Sequence, residues 1–410
     1  MHTLIGPFSQ IIPLDNLAFK GPLTDENLRT IDKGGVLVKD GKIAATGPFE
    51  ELYKSRPAGT EVQEIEEQSV LLPGFIDSHT HICFAGSRAR DYSLRVAGKS
   101  YQEILKQGGG IHDTVGKTRE ASEEDLVQNI IRRVHRHIKE GVTTIEVKSG
   151  YGLNVEEELK MLRAIRKAGE QVSAELIPTC LAAHVKPKDF AEASDYLTYI
   201  LEELLPKVKA EKLTERVDIF VEPEAFPVDA SRPYLQKAKE MGFALTLHAD
   251  QFTSGGSLLA TEIGALSADH LESSTEQDVK ALAHSNTVAT VLPGASLGLG
   301  MQYSPARRLL DAGACLAIAT DWNPGSAPMG DLLLQASLLG AAEKLSMTEV
   351  LAGLTFRAAA ALALTNRGTL IKGALADMQS FPTHDFREIL YFQGKLKARK
   401  VWKSGKLLQA

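Results

Sequence analysis

Five of the eleven histidines, His79, His81, His184, His248 and His270, stand at or just past the end of an apolar, β-rich run. The others sort differently. His2 is terminal, and His112, His135, His137, His284 and His384 fall in loops or charged helical stretches. Imidazoles gathered at strand ends point to metal binding or acid–base work. In His79-Thr80-His81 the spacing of two puts both rings on one face of an extended chain. His248, ending Ala244-Leu-Thr-Leu-His, supplies a third nitrogen from another strand. Asp321 ends Leu316-Ala-Ile-Ala-Thr-Asp and supplies an oxygen, unless it is only a turn residue before Trp322-Asn-Pro-Gly325. Three imidazoles and a carboxylate with an open position suit Zn²⁺ or Fe and poorly suit Mg²⁺ or Ca²⁺. An ion so held draws the pKa of water toward neutrality, and a neighbouring carboxylate can carry a proton to a leaving nitrogen. His270, in Ala268-Asp-His-Leu-Glu272, either polarises a substrate carbonyl or is a buried structural histidine bonded to Asp269. Lys148 ends another strand and is read as structural, because no second ligand set lies beside it.

The elements that must position these groups follow from the apolar pattern. Runs at 70–77, 142–148, 174–183, 217–222, 244–248, 266–270, 287–292 and 315–320 alternate with helix-patterned stretches such as 123–140, 156–168 and 233–241. Near-continuous apolar strands separated by helices predict a parallel sheet covered on both faces. Eight such strands close a barrel, with the site at their carboxyl ends; an open, doubly wound sheet uses the same elements. Both chain ends have a different texture. Residues 34–47 read as two strands around an Asp40-Gly41 turn, a strong hairpin signal. Short strands return at 376–381, 389–392 and 400–408, the last with a Ser404-Gly405 turn, and the basic run 395–406 reads as a charged edge strand.

Bulk properties narrow the field. The chain has 410 residues, 43% of them apolar and 24% charged, as expected of a globular protein with a large core. A net charge of −6 with scattered Lys and Arg argues against nucleic acid or an anionic membrane as partner. No export signal and no apolar run of membrane-spanning length is read from the sequence. Cys83, Cys180 and Cys315 are far apart and form no CxxC pair, which fits a reducing cytoplasm.

The chain resembles the amidohydrolase superfamily and, within it, the imidazolonepropionase family. The resemblance runs over nearly the whole chain. It is carried by Pro73-Gly-Phe-Ile-Asp-Ser-His-Thr-His81, Phe84-Ala-Gly-Ser-Arg88, Gly108-Gly-Gly-Ile111, Glu146-Val-Lys-Ser-Gly-Tyr-Gly-Leu153, His248-Ala-Asp-Gln251, Ala268-Asp-His-Leu-Glu272 and Thr320-Asp-Trp-Asn-Pro-Gly-Ser326. It implies a distorted (β/α)8 TIM barrel at 69–368 and a small β-sandwich built from both termini, 1–68 and 369–410. It implies hydrolysis of 4-imidazolone-5-propanoate to N-formimidoyl-L-glutamate in histidine degradation, with one Zn²⁺ or Fe³⁺ per subunit, usually in a homodimer. The metal ligands it implies are His79, His81, His248 and Asp321; in a hydrolysis at such an ion, Asp321 is expected to shuttle the proton and His270 to give electrostatic aid, the two catalytic residues. The substrate contacts it implies are Arg88, Tyr151, His184, Gln251, Asn323, Gly325 and Ser326. Physical chemistry agrees, because a planar guanidinium fork at Arg88 matches a propionate carboxylate and Tyr151 can add a hydrogen bond. Blander roles exist: Arg88 pairs with Asp91, and Tyr151 is an exposed loop residue. His184 and Gln251 suit the ring carbonyl and nitrogens, and residues 323–326 a polar rim. By length alone, segment 82–141 is expected to cover part of the site. A deaminase of nucleobases or guanidines shares the same His/Asp set, and a scaffold without catalysis is a third reading.

Overall fold

A computed structural model describes residues 1–99, 103 and 107–408. The amino-terminal strands are β1 (His2–Ile11), β2 (Ile31–Lys39), β3 (Lys42–Pro48), β4 (Glu61–Glu64) and β5 (Val70–Pro73). β2 and β3 form the expected hairpin, with Lys39 opposite Lys42 and positive φ at both Asp40 and Gly41, as a two-residue turn of this hand requires. The barrel strands follow: β6 (Phe75–Asp77), β7 (Val142–Lys148), β8 (Glu175–Ala183), β9 (Arg216–Phe220), β10 (Ala244–Ala249), β11 (Ser267–His270), β12 (Val288–Val291) and β13 (Leu316–Ile318). The chain ends in β14 (Met378–Phe381), β15 (Lys400–Lys403) and β16 (Lys406–Leu407).

Two sheets result. In the first, the order β16-β15-β14-β5-β1-β2-β3, with β4 also on β1, joins both ends of the chain. Its core holds Ile5, Phe8, Ile11, Val36, Val38, Leu71, Met378 and Trp402, with Phe8 and Trp402 edge-on at 6.1 Å. In the second, β6 to β13 pair in parallel in chain order. The single apolar run 70–77 is thus divided: β5 pairs with β1 and β14, whereas β6 pairs with β7.

The seam between β6 and β13 separates a barrel from an open sheet, and it is bridged. Thr80 pairs with Trp322, the Asp321 amide donates to the His79 carbonyl at 3.0 Å, and the His81 amide donates to the Trp322 carbonyl at 3.0 Å. The Asp77 side chain spans the remaining gap, accepting from the Thr320 amide and hydroxyl at 3.0 and 2.6 Å. The barrel is nearly closed, and the open-sheet alternative falls.

The outer helices are apolar on the side that covers the strands. Glu123–Lys139 buries Leu126, Val127, Ile130, Val134 and Ile138, and a Ser122/Asp125 capping box fixes its start. Val155–Gly169 is capped by Asn154. The helix expected at 233–241 starts earlier, at Val228, with Pro233 inside it, because a polar first turn hides its beginning. Residues 389–392 are a correction: they lie mostly in a short helix, Arg387–Tyr391, rather than a strand. Ile389 is buried while Tyr391 and Phe392 are exposed, and Asp385 accepts from the Arg387 amide at the helix start. The basic run 395–406 is strand only from Lys400 onward, where β15 and β16 form the sheet edge. Segment 82–141 contains the helices Ala89–Val96, Ile111–Glu120 and Glu123–Lys139; its residues 100–102 and 104–106 lie outside the described residues. Among the described residues no helix is long and apolar enough to cross a membrane.

Candidate metal centre and substrate pocket

His79 and His81 lie just beyond β6, where the seam bonds keep the backbone extended and turn both rings to one side. Their Nε2 atoms are 3.2 Å apart. His248, near the end of β10, brings its Nε2 within 3.2 Å of His81 Nε2. Asp321 Oδ1 lies 3.2 Å from His81 Nε2 and 3.6 Å from His79 Nε2. All four side chains are buried. Nitrogen ligands about 2.05 Å from one tetrahedral ion stand roughly 3.3 Å apart, which is the spacing found here.

The donor set itself asks for a cation. His79 Nδ1 is 2.7 Å from Asp269 Oδ2, so its proton is committed there and Nε2 presents a lone pair to the cluster. His248 Nδ1 stands 3.0 Å from Asp218 Oδ2 in the same arrangement. Burial holds His79 well below the usual imidazole range and His248 at about 4, so protons do not supply the positive charge. The residues present therefore fit a metal ion.

His270 ends β11 with its ring 5.2 Å from His248 and 5.8 Å from His79. With His79 and Asp321 it forms a second group whose ligand atoms all lie within 4.8 Å of one another. The alternative bond to Asp269 is not made, since that carboxylate serves His79; His270 Nδ1 faces Glu272 Oε2 at 3.6 Å instead. His270, Leu271 and Asp321 have φ of 91°, 75° and 52°. Such non-glycine residues with positive φ cost on the order of 1–3 kcal/mol each and gather at functional sites.

Below the imidazoles lies a buried charge network. Lys148 Nζ contacts Glu146 Oε1 at 2.7 Å, Asp218 Oδ2 at 2.8 Å and Asp269 Oδ2 at 4.0 Å. It therefore sits among carboxylates, two of which hold the imidazoles. Burial alone would lower the Lys148 pKa, yet Asp218 and Glu146 push it up. Burial drives Asp269 up to about 6 against the opposing charge of Lys148. Reading Lys148 as structural missed this link. The available signal was a charged residue inside each of the strands Val142–Lys148 and Arg216–Phe220, where Asp218 is also fully buried.

The substrate-contact expectations fall on the same rim. Tyr151 is buried, not exposed, with its ring 5.4 Å from His184 and 6.2 Å from His81. Its loop is shaped by Glu158, whose carboxylate accepts from the amides of Gly150, Gly152 and Leu153 at 3.1, 2.7 and 2.9 Å. An acidic residue on the buried face of a helix was the signal for Glu158, and the sequence reading passed over it. Glu158→Ala is expected to strand those three amides, cost about 3 kcal/mol and lower Tm by roughly 3–4 °C in a calorimetric melt.

His184 stacks on His81 at 5.2 Å, and its Nδ1 donates to the Gly150 carbonyl at 3.1 Å. Burial keeps the ring neutral, so its Nε2 is left as an acceptor. Gln251 is buried, in a loop whose next two residues are tied to Glu222 through the Phe252 and Thr253 amides. Asn323 is fully used inside its own loop. It donates to the Asp321 carbonyl and Ser326 Oγ, and accepts from the amides of Gly325 and Ser326. Ser326 Oγ in turn donates to Asp321 Oδ2 at 3.2 Å. Arg88 does pair with Asp91, through Nε at 2.9 Å, while its terminal nitrogens make no hydrogen bond among the described residues.

The amidohydrolase family pattern matches residues 70–408, and an imidazolonepropionase-like composite domain of bacteria matches residues 34–52. The chain is 39% identical over 411 residues to the imidazolonepropionase of Bdellovibrio bacteriovorus, covering 99% of this chain and 96% of that one. It is 42% identical over 405 residues to the imidazolonepropionase of Deinococcus deserti, covering 98% and 99%. Its fold is similar to the crystal structure of a triazine hydrolase variant, with a TM-score of 0.75 at 16% identity over 99% of this chain and 94% of that chain. Identity at this level, sustained from end to end, places the chain in the amidohydrolase family and within its imidazolonepropionase branch.

Proposed function

We propose that this hydrolase opens the ring of 4-imidazolone-5-propanoate to give N-formimidoyl-L-glutamate. What carries the reading is the shared rim: the His/Asp cluster, through Asp321, and the terminal end of the Arg88 guanidinium both lie against the loop Asn323–Ser326. His79, His81, His248 and Asp321 are read as the ligands of one ion per subunit, and a His₃Asp set accepts Zn²⁺ and Fe³⁺ alike. When bound, such an ion supplies an activated water and polarises the amide carbonyl.

The remaining steps belong to side chains. Asp321 takes a proton from the attacking water and returns it to the ring nitrogen as the C–N bond breaks. The water oxygen stays in the new carboxylate. Ser326 holds Asp321 Oδ2 so that Oδ1 faces the imidazoles. His270 stabilises charge on the carbonyl oxygen. The His184 acceptor meets a ring N–H, and Gln251 addresses the ring. Arg88 and Tyr151 bind the propionate, with Asn323 and Gly325 shaping the rim against which it lies.

The wider reading is a cytoplasmic homodimer that engages neither membrane nor nucleic acid, in keeping with a net charge of −6. Its units are a barrel at 69–368 and a terminal sandwich from 1–68 and 369–410. The test is direct: metal-loaded protein is mixed with the imidazolone, and loss of its ultraviolet absorbance is followed. Turnover supports the reading, and none with either Zn or Fe present defeats it. Arg88→Ala is expected to raise KM by about 100-fold, with kcat within roughly tenfold, because a charge-assisted pair is lost from ground and transition states alike. A KM that barely moves would favour a substrate without a carboxylate.

A further inference from the structure

Arg88 is held from two sides by groups that belong to neither the metal cluster nor the ring-binding residues. It immediately precedes the helix Ala89–Val96, and Asp91 lies one turn further on. Asp91 Oδ2 accepts from Arg88 Nε at 2.9 Å and from the Gly110 amide at 2.8 Å. Asp91 is buried, and although burial pushes its pKa up, the Gly110 and Arg88 bonds bring it below the usual range. Gly110 has φ 84° and ψ −171°, a conformation essentially confined to glycine, and it caps the helix Ile111–Glu120. On the other side, a Cβ placed on Gly325 would lie 2.5 Å from Arg88 Nη1, so the guanidinium packs directly on that backbone. A free arginine rotates about several bonds and loses that freedom on binding a carboxylate. Here Nε is fixed by a carboxylate and one terminal nitrogen by a glycine surface. The edge formed by Nη1 and Nη2 is left to meet a ligand.

We propose that Asp91 is the positioning residue that sets specificity for a substrate with a single carboxylate arm, by presenting the terminal edge of Arg88 as a preformed fork. Asp91 also ties that fork to the Gly108–Gly110 turn, so arginine and turn move as one. The inference rests on the reading of Arg88 as the carboxylate-binding group and adds the residue that aims it. A buried anion beside Arg88 also offsets part of its charge, which disfavours a second carboxylate at this end of the pocket.

The experiment compares two stable competitive ligands on the metal-loaded enzyme, 3-(imidazol-4-yl)propanoate and 4-ethylimidazole, which differ in the carboxylate. Inhibition constants are measured for the wild type, Asp91→Asn, Asp91→Ser and Arg88→Ala, together with kcat, KM and Tm. Asp91→Asn is expected to weaken the propanoate by about tenfold, leave 4-ethylimidazole unchanged, and raise KM with kcat within about threefold. Asp91→Ser, which stays polar but has lost the charge facing Arg88, gives the same result and covers the case in which the asparagine variant does not fold. A propanoate preference unchanged in both Asp91 variants overturns the proposal. So does equal weakening of both ligands, or a fall in kcat and Tm with KM unmoved, since each is what a merely structural aspartate would give. If Arg88→Ala keeps the wild-type preference, the underlying reading of Arg88 fails and the inference falls with it. Loss of preference in Arg88→Ala but not in the Asp91 variants overturns the inference alone.

Discussion

Asp321→Asn is expected to lower kcat by about 10²- to 10⁴-fold, the range for loss of a general acid–base group, while the folded protein keeps its ion. Asparagine is the informative replacement. Asp321 has φ 52°, a conformation that asparagine adopts more readily than most residues, so the backbone is not strained by the change. The amide oxygen can still face His81 while the amide nitrogen takes the place of Oδ2 and donates to Ser326 Oγ, but neither can take a proton from water. The three imidazoles remain, so metal content measured by emission spectroscopy should stay near the wild-type value. Activity within threefold of wild type would show that another group moves the proton. Loss of the ion together with activity would make Asp321 principally a ligand.

Lys148→Met is expected to destabilise the protein by about 3–5 kcal/mol, because it leaves buried carboxylates without their cation. Glu146 and Asp218 would then face one another in the barrel interior, with Asp269 close by. The effect should reach the ion through the imidazoles. Asp218 and Asp269 orient His248 and His79, and disturbing such partners typically costs about 10- to 100-fold in metal affinity. Two measurements separate these consequences: the Tm of metal-free protein, and the affinity for Zn²⁺ against a competing chelator. A lower Tm with unchanged affinity would mean that Lys148 only holds the barrel together.

The pattern of apolar runs was enough to reach eight parallel strands covered on both faces, since a strand buried on both faces needs a near-continuous apolar run, but it did not separate a barrel from an open sheet. The seam was not legible. Its closure depends on the Asp77 side chain meeting Thr320, a contact across 243 positions that no local pattern records. The His79/His81 pair was readable because period two is a local property, and His248 and Asp321 because each ended a strand. Asp218 and Glu158 showed only as acidic residues within an apolar strand and on the buried face of a helix, with nothing to name their partners. Both act through groups far away or through backbone amides, and a buried carboxylate looks like any other acidic residue until its partners are known. Segment 389–392 misled for a related reason. Alternation suggests a strand only where a neighbouring strand exists to pair with it, and here Asp385 starts a helical turn instead.

In the proposed mechanism four side chains, from β10 and from the chain segments beyond β6 and β13, bind one ion. Anomalous diffraction from crystals of the metal-loaded protein, collected at the zinc and iron absorption edges, tests it most directly. The predicted result is a single strong peak about 2.0–2.2 Å from His79 Nε2, His81 Nε2, His248 Nε2 and an Asp321 oxygen. A peak bound elsewhere, or no peak in fully active protein, would contradict it.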